Sequence, residues 1–468
     1  MQPGGFGSMP PQMFPILQSP SPDLCLITGL PALPAQALCV VALHVVTLCA
    51  MDPPSRQNQL PRTKTMAKPN RTALLLLLLV SLAFAAKSYL SLWTFDADGL
   101  SVGSLKTPYW DFLNLWFGSH LASTGQVDLL FDPEAYRAAM QALFGTALPD
   151  HEWSYPPSVL LVGTPLSLMP LPLAYWVWTL GGALSLYAAL SCLGQIPRSV
   201  RLLVVVSPVA LQNAFFGQNG AYTTALLIAA LALAPKRPLL AGLFAGLLTL
   251  KPHLGLLIPI AWLAAGYWRA VFSAASVAIT LFALTGLIFG FSVWADFPAV
   301  TTPLMVSILE APYPQPYHTQ AMTIFIALRA LGGSLMLAYG GQIVAALIAM
   351  AITRQIWHTK PSAMSSTDRI ILTALLALVA TPYGYSYDAL AVALAAAWLA
   401  ISRDLGLAPR LVLWAAWLFP LFMLPLTSRG YGFFVAIPVA LTALLGLLPQ
   451  VRDTSSPSQA SSPGHSTR

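Results

Sequence analysis

MAKPNRTALLLLLLVSLAFAA, residues 66–86, is the stretch that decides the fold. Two bases, Lys68 and Arg71, precede an apolar run that continues to residue 92. About 20 apolar residues of helix cross a bilayer core, so this run reads as a first transmembrane helix. Comparable runs recur along nearly the whole chain. The composition agrees: 57% hydrophobic and 8% charged, with mean hydropathy +0.70, far from the roughly 25% charged residues of a soluble domain. A β-barrel would alternate apolar and polar residues, and these runs are continuous. The fold class expected is therefore all-α, a polytopic membrane protein. The net charge of +7 needs no nucleic acid to explain it, because cytoplasmic loops of membrane proteins collect Lys and Arg.

Upstream, residues 1–65 are Pro-rich, and the apolar stretch 24–50 is broken by Pro31 and Pro34. They read as a disordered or misassigned extension, with Met1, Met51 and Met66 all possible starts, and not as a cleaved signal peptide. Residues 66–452 form the membrane domain and 453–468 a Ser/Pro-rich disordered tail. The bases before residue 72, with Arg198, Arg201, Lys236, Arg237, Arg269, Arg354, Lys360, Arg369, Arg403, Arg410 and Arg452, all face the cytoplasm if the chain crosses about twelve times. The crossings fall at 72–92, 156–193, 202–216, 221–235, 238–250, 254–268, 271–291, 334–353, 370–382, 389–401, 411–426 and 432–449. This scheme puts both termini in the cytoplasm of a cell (inner) membrane protein. It leaves two large loops outside, 93–155 and 292–333.

The first outer loop holds eight of the 16 carboxylates: Asp96, Asp98, Asp111, Asp128, Asp132, Glu134, Asp150 and Glu152. Several crossings are shorter than a bilayer is thick, which suits a cavity entered from outside, since irregular backbone survives at membrane depth only where protein or water covers it. Their outward tips carry unusual residues: Gly217-Gln218-Asn219-Gly220, Lys251-Pro252-His253, residues 381–388, and Ser428-Arg429-Gly430-Tyr431. Lys251 lies in an apolar stretch where a lysine costs about 2.5–3.5 kcal/mol, so it needs a partner, a phosphate being one, unless it snorkels to headgroups. Asp111 is a candidate general base, although a solvated loop acid is the commoner fate. Asp128 and Asp132 look like turn or capping residues. Gln218 and Asn219 suit sugar hydroxyls or a plain turn. Tyr383, Tyr385, Tyr387 and Asp388 make an aromatic-acid patch fit for a sugar face, or for an ordinary membrane interface. His253 and His318 lack paired ligands at helical spacing, so no metal is expected.

Taken in order, Asp111-Phe-Leu-Asn-Leu-Trp, Leu130-Phe131-Asp132-Pro133-Glu134-Ala135-Tyr136, Tyr155-Pro156-Pro157, Phe216-Gly217-Gln218-Asn219, residues 242–250 into Lys251-Pro252, and Gly266-Tyr267-Trp268-Arg269 resemble glycosyltransferase family 87. That family includes polyprenol-phosphate-mannose-dependent mannosyltransferases of the glycosyltransferase C superfamily. The likeness covers residues 72–270 by motif and the rest by topology. It implies an inverting hexosyltransferase that moves a sugar, mannose by default, from a polyprenyl-phosphate donor to a lipid or glycan acceptor among membrane lipids on the extracytoplasmic face. No cofactor is implied beyond the lipid-linked donor. Asp111 matches the catalytic base. Lys251 and Arg429, with Arg329 as an alternative, would hold the donor phosphate, and Asn114, Gln218, Asn219, His253, Tyr383, Tyr387 and Asp388 would bind substrate. One departure is residues 383–388, where the family's mannosyltransferases carry a Ser-Trp and His pair. The rival reading is a secondary transporter or lipid-linked sugar translocator. The absence of repeated halves and the long acidic loop weigh against it.

Overall fold

The computed structural model describes residues 109, 111–145, 151–359, 364–427 and 430–447, together with Thr72, Leu75, Leu76, Leu79, Val80 and Ala83. The extension 1–65, the tail 453–468, most of the first apolar run, Asp96, Asp98, Asp150, Lys360 and Arg429 lie outside the described residues. Among those described, the secondary structure is helical, and extended backbone pairs at a single bridge, Ala321 with Tyr385.

The segment read from sequence as a polar loop carries two helices, α1 (Asp111–Ser123) and α2 (Pro133–Phe144). Asp132 starts α2 as a capping residue: its Oδ1 accepts from Ala135 N at 3.0 Å, and Pro133 takes the first helical position. Phe112, Leu113, Tyr136 and Trp153 are buried between these helices and the next two, α3 (Leu160–Ser167) and α4 (Leu171–Ser191). Each such side chain stabilises by about 1.5–3 kcal/mol relative to exposure. The aromatics, not the acids, order this segment. Glycines let it sit close: a Cβ on Gly163 would fall 1.9 Å from Ser119 Oγ, and one on Gly118 2.3 Å from the Trp153 ring.

Next come α5 (Arg198–Val205) and α6 (Pro208–Phe216), which form one apolar run with a step at Ser207. Ser207 Oγ accepts from Ala210 N, and Pro208 cannot donate to the preceding turn, so the helix restarts there. Two short helices follow, α7 (Gly220–Leu233) and α8 (Pro238–Leu247). The chain then breaks through short 3₁₀ turns around Lys251 into α9 (Leu257–Ala265). The long helix α10 (Trp268–Phe289) packs on α8 through Gly242 and Gly246. A Cβ at these positions would meet Ser273 Cβ at 2.3 Å and Val277 Cβ at 2.5 Å. Small residues four apart bring helix backbones together where lipid offers no hydrophobic drive.

Residues 292–333, the expected second outer loop, contain α11 (Ser292–Asp296), a π-turn, α12 (Thr302–Glu310) and α13 (Ile324–Ala330). The remainder is α14 (Leu335–His358), α15 (Ser366–Ala380), α16 (Leu390–Ser402), α17 (Leu407–Thr427) and α18 (Ile437–Leu447). Five segments are long and apolar enough to cross a membrane: α4, α5–α6, α10, Ser292–Glu310 and α14. Shorter apolar helices occupy most of the other expected crossings. α15 and α16 bury nearly every residue, whereas α10 and α14 leave most of their apolar surface open, as helices facing lipid do.

Candidate active site

The site is assembled where helices end. α6 stops at Phe216 because Gly217 takes a left-handed conformation, φ +65°, which glycine adopts without a Cβ penalty. α7 begins three residues later at Gly220. The turn between them is wedged between two backbones. A Cβ on Gly217 would lie 2.4 Å from Phe112 Cβ, and one on Gly220 would lie 2.2 Å from the Tyr387 carbonyl. α4 pins the turn from the side: Trp178 Nε1 donates to Gly217 O at 3.0 Å, and Tyr175 Oη to Ala214 O at 2.7 Å. Gln218 and Asn219 are thereby aimed in set directions.

Gln218 Nε2 donates to Asp111 Oδ2 at 2.6 Å. Asp111 opens α1, whose free N-terminal amides favour a carboxylate. Burial outweighs this and pushes the Asp111 carboxyl above its ordinary range, while the Gln218 hydrogen bond and the charges of His151 and Lys251 draw it back. Such a carboxylate is a better base than one in water. Around it stand Tyr155, Tyr317, Tyr385 and Tyr387, each close enough to feel its charge. Burial first, then the charge of Asp111, keeps the Tyr155 and Tyr317 phenols protonated and able to donate.

Lys251 has its partner inside the protein. Its Nζ lies 2.6 Å from Asp388 Oδ1 and 3.2 Å from Asn219 Oδ1, with the Tyr387 ring centroid at 5.3 Å. The Lys251 side chain is 13% exposed and that of Asp388 fully enclosed. The charge that membrane insertion makes costly is thus compensated without a ligand, and a snorkelling lysine is excluded. Tyr385 N donates to Asp388 Oδ2 at 3.3 Å, and Gln320 Oε1 accepts from both Ser386 and Gln212, so the 383–388 turn is held from two sides.

Three of the four expected tips therefore meet: 217–220, 251–253 and 381–388. Of the fourth, Ser428 and Arg429 lie outside the described residues. His253 packs against Tyr383 with ring centroids 6.1 Å apart. Tyr383 and Tyr385 both pack against the small apolar cluster of the 309–339 region; Tyr383 feels Glu310, whereas Tyr385 feels Asp111. Asn114 is placed differently from expectation. It is buried on α1, donating to Glu152 O at 2.9 Å and accepting from Tyr136 Oη at 2.5 Å, which takes up its carboxamide. Arg329 is held at the end of α13 by Gly333 O at 3.0 Å. Sequence reading did not single out His151, Tyr155 or Tyr317 as site residues. Tyr155 stood in the Tyr155-Pro156-Pro157 motif without a role; His151 and Tyr317 had no signal beyond a histidine or an aromatic in an outer segment.

Beside Asn219 opens an apolar groove of about 140 Å³ between α4, α7 and α8. Tyr155, Gly217 and Asn219 line its polar end, and Leu226, Phe244 and Leu248 its interior. A slot with this lining suits an apolar chain. Among the described residues, no three His, Cys, Asp or Glu side chains converge as a metal would require.

Gly217→Ala tests the wedge. The added methyl must displace Phe112, next to Asp111, and strains a left-handed residue by about 1–2 kcal/mol. We expect a folded protein with activity at least tenfold lower; unaltered activity would show that the turn does not set Asp111.

Residues 153–382 match the profile of glycosyltransferase family 87. No curated protein and no solved structure matches the chain. The matched span takes in Tyr155, the 217–220 turn, Lys251 and Tyr317, and starts after Asp111 and the 130–136 motif. The position of Asp111 beside Gln218 is thus a finding of geometry.

Proposed function

We propose that this membrane glycosyltransferase of family 87 transfers a hexose, mannose by default, from a polyprenyl-phosphate donor to a hydroxyl of a lipid or glycan acceptor on the extracytoplasmic face, with Asp111 as the base. The observation that carries the reading is the seat of Asp111, held by Gln218, whose chain neighbours Gly217 and Asn219 line an apolar groove. The groove takes the first part of the donor's isoprenoid chain, which sets its phosphate and sugar beside Asn219, Lys251 and Asp111. Tyr155, Tyr317, Tyr385 and Tyr387 offer ring faces and phenol groups to the sugars.

Asp111 accepts the acceptor hydroxyl's proton as that oxygen attacks the anomeric carbon. The anomeric C–O bond opposite breaks, its electron pair leaving on the polyprenyl phosphate, so the configuration inverts. An ammonium has three protons. Asp388 and Asn219 engage two of those on Lys251, and the third serves a phosphate oxygen where charge develops.

The test is incubation of the purified protein with polyprenyl-phosphate mannose, other polyprenyl-phosphate hexoses and nucleotide sugars, each with a membrane acceptor extract. We expect transfer from a lipid-phosphate donor alone, with inversion read by NMR of the product. Transfer only from nucleotide sugars overturns the donor class, and accumulation of intact donor in vesicles without transfer supports the transporter instead.

A further inference from the structure

Asp388 faces no reacting atom in this mechanism, yet it is the most fixed carboxylate of the site. Its side chain is fully enclosed, Oδ2 accepts from Tyr385 N at 3.3 Å, and Oδ1 accepts from Lys251 Nζ at 2.6 Å. Lys251 continues to Asn219 Oδ1 at 3.2 Å, and the neighbouring Gln218 reaches Asp111 at 2.6 Å. Two carboxylates thus share one ammonium's surroundings. Lysine is a compact charge on a flexible four-carbon stem, so it settles on whichever carboxylate binds it better. A lysine paired directly with Asp111 would favour its ionised form and blunt it as a base.

We propose that Asp388 is a positioning residue for the transfer reaction: it holds Lys251 against Asn219, which keeps the ammonium off Asp111 and the 217–220 turn in register. The proposal rests on the reading of Asp111 as the base. The geometry favours Asp388 in this competition, since it already holds Lys251 at 2.6 Å and is tied by the Tyr385 amide, whereas Asp111 is held by the Gln218 side chain. The groups facing Asp111 are His151, Lys251, Tyr155, Tyr317, Tyr385 and Tyr387. Of these, Lys251 is the one a change at Asp388 releases.

The experiment is the pH profile of kcat/KM, per folded molecule, for full-length wild type, Asp388→Asn, the double variant Lys251→Met with Asp388→Asn, and Asp111→Asn. In Asp388→Asn the freed ammonium moves toward Asp111. We expect the acid limb to shift down by about a pH unit and the plateau to fall at least tenfold. In the double variant the ammonium is gone, so the limb shifts up instead. This variant carries no unpaired buried charge; if Asp388→Asn does not fold, a limb that stays in place here shows that Lys251 does not act on Asp111 and overturns the proposal. A limb in its wild-type position in either variant, with Asp111→Asn inactive, overturns the positioning role and leaves the base assignment standing. An active Asp111→Asn overturns the base, and this proposal with it.

Discussion

Asp111→Asn should reduce transfer by about 10² to 10⁴-fold, the usual contribution of a general base, while leaving membrane insertion and thermal stability close to wild type. The substitution keeps shape and an oxygen for Gln218 Nε2 to donate to, so the turn and α1 remain joined. What it removes is the capacity to take a proton. Single-turnover transfer from a radiolabelled lipid donor, with melting followed in detergent, separates the two effects; full activity would sink the base assignment. The wild-type pH profile is a second readout. Burial raises the Asp111 carboxyl above the ordinary carboxylate range near 4, and only its ionised form is a base. Activity is therefore present above that raised value and lost as pH falls through it. The acid limb should stand above the range of an exposed aspartate.

The helical membrane class was legible because it rests on composition and continuous apolar runs, which no tertiary contact alters. Sequence put 217–220, 251–253 and 381–388 on one face as polar tips between short apolar helices; their direct contact is a finding of the structure. The two helices inside the first outer loop were not legible. Its acids stand out against a greasy chain, but Phe112, Leu113, Tyr136 and Trp153 decide its structure. Burial of these side chains depends on partners in α3 and α4 that no local pattern reveals. Asn114 shows the same limit: its neighbours in space, Tyr136 and Glu152, are distant in sequence. For Lys251 the physical argument was sound, and the anion found inside the protein is Asp388. A lysine at membrane depth demands an anion, yet sequence cannot rank a ligand's phosphate above an aspartate 137 residues away.

Lys251→Met is expected to produce the second largest effect, on two separable readouts. Removing one partner of a buried ion pair leaves the other charge uncompensated, which costs about 3–5 kcal/mol. Asp388, fully enclosed, then retains only the Tyr385 amide. Folded yield and melting temperature should fall well below wild type. Pairing the change with Asp388→Asn removes both charges and keeps an acceptor for Tyr385 N, so stability should recover most of the loss. Donor affinity should not recover, because the proton offered to the phosphate is absent in both variants. A KM for the lipid donor at least tenfold above wild type in the stabilised double variant would establish the phosphate contact. Restoration of stability together with wild-type donor affinity would reduce Lys251 to a counter-ion that holds Asn219 and the 217–220 turn in place, and the phosphate would then need another cation.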